Sequence, residues 1–142
     1  MSPNISCSVA VDIVGGPELS ITQNIAVDAY DRIDAVVPAT TPGVGGAAST
    51  PGKAKLEVQP GGTGQVQFLL ITSSVYDSDL TFKVDGEPAD PDNRVLDAPL
   101  FLMGAGTVSM LASTQKNFEF SNDITPPTAA SIVIFVGRKA TS

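Results

Sequence analysis

The sequence has no histidine, no tryptophan and a single cysteine, Cys7. Without histidine, Ser-His and Cys-His nucleophilic systems are excluded, as are His-ligated zinc, copper and iron sites. One cysteine forms no internal disulfide. Cys7 lies in an alternating apolar segment with no basic residue nearby in sequence, which suits a buried small hydrophobe better than a reactive thiol. Neither a Cys-x-x-Cys pair nor a Gly-x-x-x-x-Gly-Lys-[Ser/Thr] phosphate loop occurs. The glycine pairs at 15–16, 45–46 and 61–62 lack the strand-to-helix setting of a dinucleotide site and read as turns.

Charge is also scarce. Charged residues make up 16% of the chain, against roughly 25% in ordinary soluble domains. Ser, Thr, Asn, Gln, Gly and Ala fill the deficit, which gives a surface that repels other copies only weakly. The net charge is −7, from 15 acids and 8 bases. The bases are scattered, with only Lys53/Lys55 and Arg138/Lys139 close together. That excludes the clustered Lys and Arg that nucleic acids and anionic membranes require. No apolar run approaches the roughly 20 residues of a membrane helix. The opening Met-Ser-Pro-Asn-Ile-Ser lacks the basic and apolar regions of a signal peptide. The expectation is a protein of the cytoplasm, or of a particle assembled there.

What is present is alternation. Ile5, Cys7, Val9, Val11 and Ile13 fall in one phase, and Leu19, Ile21, Ile25 and Val27 repeat it after Gly15-Gly16-Pro17. Strand, glycine-rich turn and strand read as a long hairpin with one buried face. Residues 29–37 are spaced for either a short helix or a strand, and Pro38 with the absence of any longer helical period favours the strand. Further strands are expected at 54–58, 66–75, 80–84, 95–103, 108–112, 118–120 and 132–136. The runs 66–75 and 132–136 are apolar on both faces, as in central strands covered on both sides. Pro99 marks an edge or a bulge. The uncharged stretch 38–52 reads either as an arm that orders against a neighbour or as a slack, flexible connection, and its Gly/Ser/Thr content favours the latter.

These segments predict one domain over 1–142. It is all-β, a two-sheet antiparallel β-sandwich of jelly-roll type, with about nine or ten short strands and no helix.

One constellation carries possible chemistry. Asp77, Asp79, Asp85, Glu87, Asp90, Asp92 and Asp97 are opposed only by Lys83 and Arg94. Carboxylates are ligands for Ca²⁺. However, the glycine and glutamate of a calcium-binding EF-hand loop are missing at their required positions, so solubilising charge on turns is the simpler reading. Two carboxylates can also hydrolyse glycosides, but that needs an aromatic-lined cleft. Aromatics are only 6% of the chain, and Phe68, Phe82, Phe118, Phe120 and Phe135 all sit in strand patterns that core packing explains. Lys83 and Lys116 have hydroxyl neighbours in sequence, a pattern too common to indicate an enzyme.

The expected function is therefore non-enzymatic and cofactor-free. It is a structural subunit that self-associates into a symmetric oligomer or larger assembly, such as a phage or virion particle, a shell or a filament. Its partners are copies of itself and other assembly proteins. The alternative is a ligand-binding β-sandwich module for carbohydrate, protein or Ca²⁺, using the acidic 77–97 region.

Overall fold

Alternation becomes antiparallel pairing almost wherever it occurs. The computed structural model describes residues 3–58, 66–84, 94–111 and 117–139. Its elements are β1 (Asn4–Asp12), β2 (Glu18–Ala26), β3 (Ala29–Val37), β4 (Gly52–Glu57), β5 (Val66–Ser73), β6 (Leu80–Val84), β7 (Arg94–Val95), β8 (Leu100–Met103), α1 (Ala105–Ser109), β9 (Asn117–Asn122) and β10 (Ala130–Arg138). The class is all-β with antiparallel sheets. Three sheets are formed: the hairpin β1-β2, and two four-stranded sheets ordered β3-β10-β5-β8 and β4-β9-β6-β7.

The pairing follows a nested rule. Strand β3 pairs with β10, β4 with β9, β5 with β8 and β6 with β7. The first body strand thus takes the last, the second takes the next to last, and so inward. Two further pairings, β10 with β5 and β9 with β6, knit the four pairs into two sheets.

One core cluster draws on both four-stranded sheets. In the first sheet Ile134 lies opposite both Ile33 and Ile71, and Val136 opposite Leu69. The second sheet contributes Leu80, Phe82, Val84, Phe118 and Phe120. Phe82 contacts both other rings, with centroids 6.2 Å from Phe118 and 5.8 Å from Phe120. Burial of each such side chain stabilises the fold by about 1.5–3 kcal/mol. As the doubly apolar patterns predicted, β5 and β10 are interior strands of their sheet.

Three expectations change. Residues 105–109 form a short helix rather than part of a β region, and Met110 is exposed. The buried pair is Val108 and Leu111, three apart as on one helix face. A five-residue helix is too short to produce a readable period, and the alternation of Val108, Met110 and Ala112 imitated a strand.

The connection 38–52 is tied down rather than slack. Thr41 and Thr50 exchange backbone hydrogen bonds of 2.8 and 2.9 Å. At its neck Gly52 passes so close to Pro38 that a Cβ would lie 1.8 Å from the Pro38 carbonyl oxygen, so only glycine fits.

The third change concerns the hairpin. Its apolar face is buried at the base alone, while Val9, Val11, Ile13, Leu19 and Ile21 are exposed.

Polar ties close the seams between the sheets. Arg138 donates from Nη1 to the Val58 carbonyl at 2.9 Å and pairs through Nη2 with the Asp31 carboxylate. Thr40 donates to the Asn122 carbonyl at 2.9 Å. Asn122 is fully buried. Its Nδ2 donates to the Thr128 carbonyl at 2.7 Å, and its Oδ1 accepts from the Ile124 N–H at 3.1 Å. This one amide satisfies both a donor and an acceptor of the loop before β10. Asn122→Ala leaves both without a partner and is expected to lower the unfolding free energy by about 2 kcal/mol. Urea denaturation checks this through a lower midpoint at unchanged slope.

Candidate functional site

The first four-stranded sheet has a second apolar face, turned away from the core. Cross-strand neighbours share a face, so the register defines two rows there. One runs Tyr30, Gly137, Phe68, Met103, and the next runs Arg32, Phe135, Leu70, Phe101. The aromatics touch in a chain. Tyr30 stacks on Phe135 at 5.8 Å, Phe135 meets Phe68 edge-on at 5.9 Å, and Phe68 meets Phe101 edge-on at 5.6 Å.

The base of the hairpin roofs part of this face. Cys7, Ile25 and Val27 are buried with Phe68, and Ile5, Leu70, Met103 and Phe135 pack partly buried around them. Gly137 makes the close approach possible. A Cβ there would stand 2.5 Å from Ile5 Cδ1 and 3.0 Å from Val27 Cγ1. Two backbone hydrogen bonds fix the lower end of the hairpin, from the Val27 N–H to Pro3 at 3.1 Å and from the Asp28 N–H to Arg138 at 2.7 Å. Burial among these side chains pushes the Cys7 thiol pKa up, because a thiolate there would lose solvation. Cys7 is thus a packing residue, as its position in the sequence suggested.

Beyond Cys7 and Ile25 the hairpin leaves the sheet. Gln23, opposite Cys7, interrupts its apolar face, which resumes with Val9 opposite Ile21 and Val11 opposite Leu19. Among the described residues nothing covers that distal half: Val11 and Ile21 are each 47% exposed and Leu19 is 59% exposed. The reverse face is polar, carrying Ser6, Ser8, Thr22 and Asn24, with Asp12 opposite Glu18 near the tip. Between those ends neither strand carries a charge. The aromatic face is also incompletely covered, with Tyr30 57% and Phe101 36% exposed.

The other four-stranded sheet contrasts with this. Its outward residues include exposed Lys53, Lys55, Lys83 and Glu119, with Glu119 placed opposite both Lys55 and Lys83. Such a face is suited to water. The two sides of the body therefore differ in character, one apolar and armed, the other charged.

Of the acidic candidates, only Asp77, Asp79 and Asp97 lie among the described residues. Asp77 and Asp79 form a turn before β6, in which the Asp79 N–H donates to Asp77 Oδ1 at 2.9 Å. Asp97 is exposed beyond β7. Asp85, Glu87, Asp90 and Asp92 lie outside the described residues. Among the described residues no group of three or more acidic, cysteine or histidine side chains is placed to hold a metal ion. Tyr76, one of the two tyrosines, accepts from the Ser73 N–H at 3.1 Å within its own turn. Among the described residues no helix is long and apolar enough to cross a membrane. A shallow notch beside β3 and β4 is lined by Asp31, Arg32, Ile33, Glu57 and Val58. Its Asp31 is already engaged by Arg138.

Sequence reasoning assigned Phe68 and Phe135 to core packing without separating two faces. The signal available was parity: Phe68 and Leu70 are out of phase with Leu69 and Ile71. Comparison with protein families, curated proteins and solved structures gave no match.

The close approach at Gly137 generates a prediction. Gly137→Val is expected to lift the hairpin base, lower stability by about 1–3 kcal/mol and expose Cys7. Iodoacetamide labelling of Cys7, slow in the parent protein, is then expected to accelerate roughly tenfold or more, because both access and thiolate fraction rise. Mass spectrometry of quenched samples follows the rate.

Proposed function

We propose that this chain is a non-enzymatic structural subunit that self-associates through its apolar side. The observation that carries this reading is the uncovered apolar face on the distal half of the β1-β2 hairpin. A two-stranded ribbon is marginal by itself, and large exposed apolar patches on soluble chains mark interaction surfaces. The ribbon edges also lack the lysines, prolines and bulges with which proteins block unwanted pairing. A solvent-facing loop would gain nothing from Val9, Val11, Leu19 and Ile21 in one phase. An arm that is buried against another molecule requires that pattern.

Strands β3 to β10 are read as a jelly roll. The support is the nested pairing of first with last strand through all four pairs, which is what folding one long paired ribbon over itself produces. That architecture serves shell subunits and sugar-binding domains alike, so the fold does not choose between them. The arm and the low charge favour the assembly. The assembly is placed in the class of particle, shell or filament components, with copies of the chain as principal partners.

The parent protein is expected to elute as a defined oligomer or larger particle in size exclusion with light scattering. The Val11→Asp, Leu19→Asp double variant is expected to elute as a folded 14.6 kDa monomer. Burying two carboxylates against apolar surface costs several kcal/mol, enough to shift an association constant by a thousandfold or more. A parent protein that stays monomeric at high concentration would refute the assembly reading.

A further inference from the structure

Resting on that reading, we propose that the distal arm of one copy docks on the incompletely covered aromatic face of a second copy, over Phe101, Leu70 and Phe135 and onto Tyr30 of the adjacent row. The contact runs from arm to sheet rather than from arm to arm.

Both halves of the contact are on the same chain. The arm offers Val9, Val11, Leu19 and Ile21 in one phase, uncovered. The sheet offers the row Phe101, Leu70 and Phe135, which ends at Arg32; Leu70 and Phe135 pack partly against the hairpin base, and Phe101 is exposed. The packing mode already exists within one molecule, where Ile5, Cys7, Ile25 and Val27 sit on Phe68 over the glycine at 137. The distal arm carries one β-branched pair, Val9 with Ile21, as the base carries Ile5 with Ile25. The sheet row repeats the platform's arrangement, aromatic beside aliphatic. The distal half, five residues of strand, spans about 15 Å, enough to cross several strands of a neighbouring sheet at roughly 4.8 Å spacing.

Arm-to-arm docking would bury the ribbons and leave Tyr30 and Phe101 in water. Arm-to-sheet docking covers both surfaces with one contact. A lipid bilayer fits the arm less well. Asp12 and Glu18 flank its tip, no lysine or arginine lies between residues 1 and 31, and no tryptophan is available for an interface.

A contact between two different patches is heterologous, and that gives a decisive experiment. The arm variant Val11→Asp, Leu19→Asp keeps an intact sheet. The sheet variant Phe101→Asp, Tyr30→Asp keeps an intact arm. Circular dichroism and cooperative urea unfolding establish that each variant is folded. Each alone is expected to be monomeric. Mixed in equal amounts, they are expected to form a one-to-one complex of twice the monomer mass, because the intact arm of the sheet variant meets the intact sheet of the arm variant.

A parent protein that assembles, with variants that remain monomeric when mixed, overturns the arm-to-sheet contact and leaves the assembly reading standing. A parent protein that is monomeric overturns both. A sheet variant that still self-assembles alone places the contact elsewhere and overturns the proposal. So does a monomeric parent protein that floats with phosphatidylcholine–phosphatidylserine vesicles and loses this on Val11→Asp, Leu19→Asp, which assigns the arm to a bilayer.

Discussion

Strand β10 is where the molecule's separate parts are joined. It pairs with β3 on one side and β5 on the other. Its inward residues Ile132, Ile134 and Val136 enter the shared core. Its outward residues Phe135 and Gly137 make the platform on which the hairpin rests. At its end Arg138 reaches the β4 end through Val58 and the β3 strand through Asp31. Sheet continuity, core packing and attachment of the arm thus all pass through nine residues. The constraint is strictest at position 137, where anything larger than glycine collides with Ile5 and Val27.

The two faces of that sheet are covered to different extents. The inner face is filled by apolar residues from both four-stranded sheets, and its polar seams are satisfied by Thr40, Asn122 and Arg138. The outer face carries Phe68, Leu70, Phe101, Met103 and Phe135 beside the exposed Arg32–Asp34 pair, and is only partly roofed. A core needs a cover over all of its area, and the hairpin supplies that cover only as far as Cys7 and Ile25. The remaining aromatic row and the remaining arm are equally short of a partner, which is why the proposed assembly draws on both.

Much of this was legible in the sequence, because period-two patterning is a direct record of half-buried strands. The hairpin, the ambiguous segment 29–37 and the doubly apolar strands 66–75 and 132–136 all follow from it. Parity places Phe68 and Leu70 opposite to Leu69 and Ile71, a distinction that core packing alone does not draw. What patterning cannot convey is which element lies over each face, so Val9 and Val11 looked as buried as Ile5 and Cys7. The helix at 105–109 escaped because one and a half turns leave only Val108 and Leu111 as a trace. The connection 38–52 looked slack because its restraints, a pair of threonine backbone bonds and the Gly52–Pro38 contact, leave no compositional mark. Of the acidic run, Asp77 and Asp79 form a turn before β6, and Asp85, Glu87, Asp90 and Asp92 lie outside the described residues.

The nested pairing also orders events in time. The hairpin joins strands separated by a five-residue turn, so it can close within microseconds, before any platform exists to receive it. The body instead pairs its first strand with its last across some ninety residues of sequence, and such closure is slow because the loop entropy is spent before the contacts form. During synthesis the arm is therefore a finished element waiting for its own sheet, with its whole apolar face open, base as well as tip. The sparse charge that suits the mature chain to close contact gives little protection in that interval. Local concentration on the ribosome, and how soon β10 emerges, then decide whether the base of each arm meets its own Gly137 or that of a neighbour.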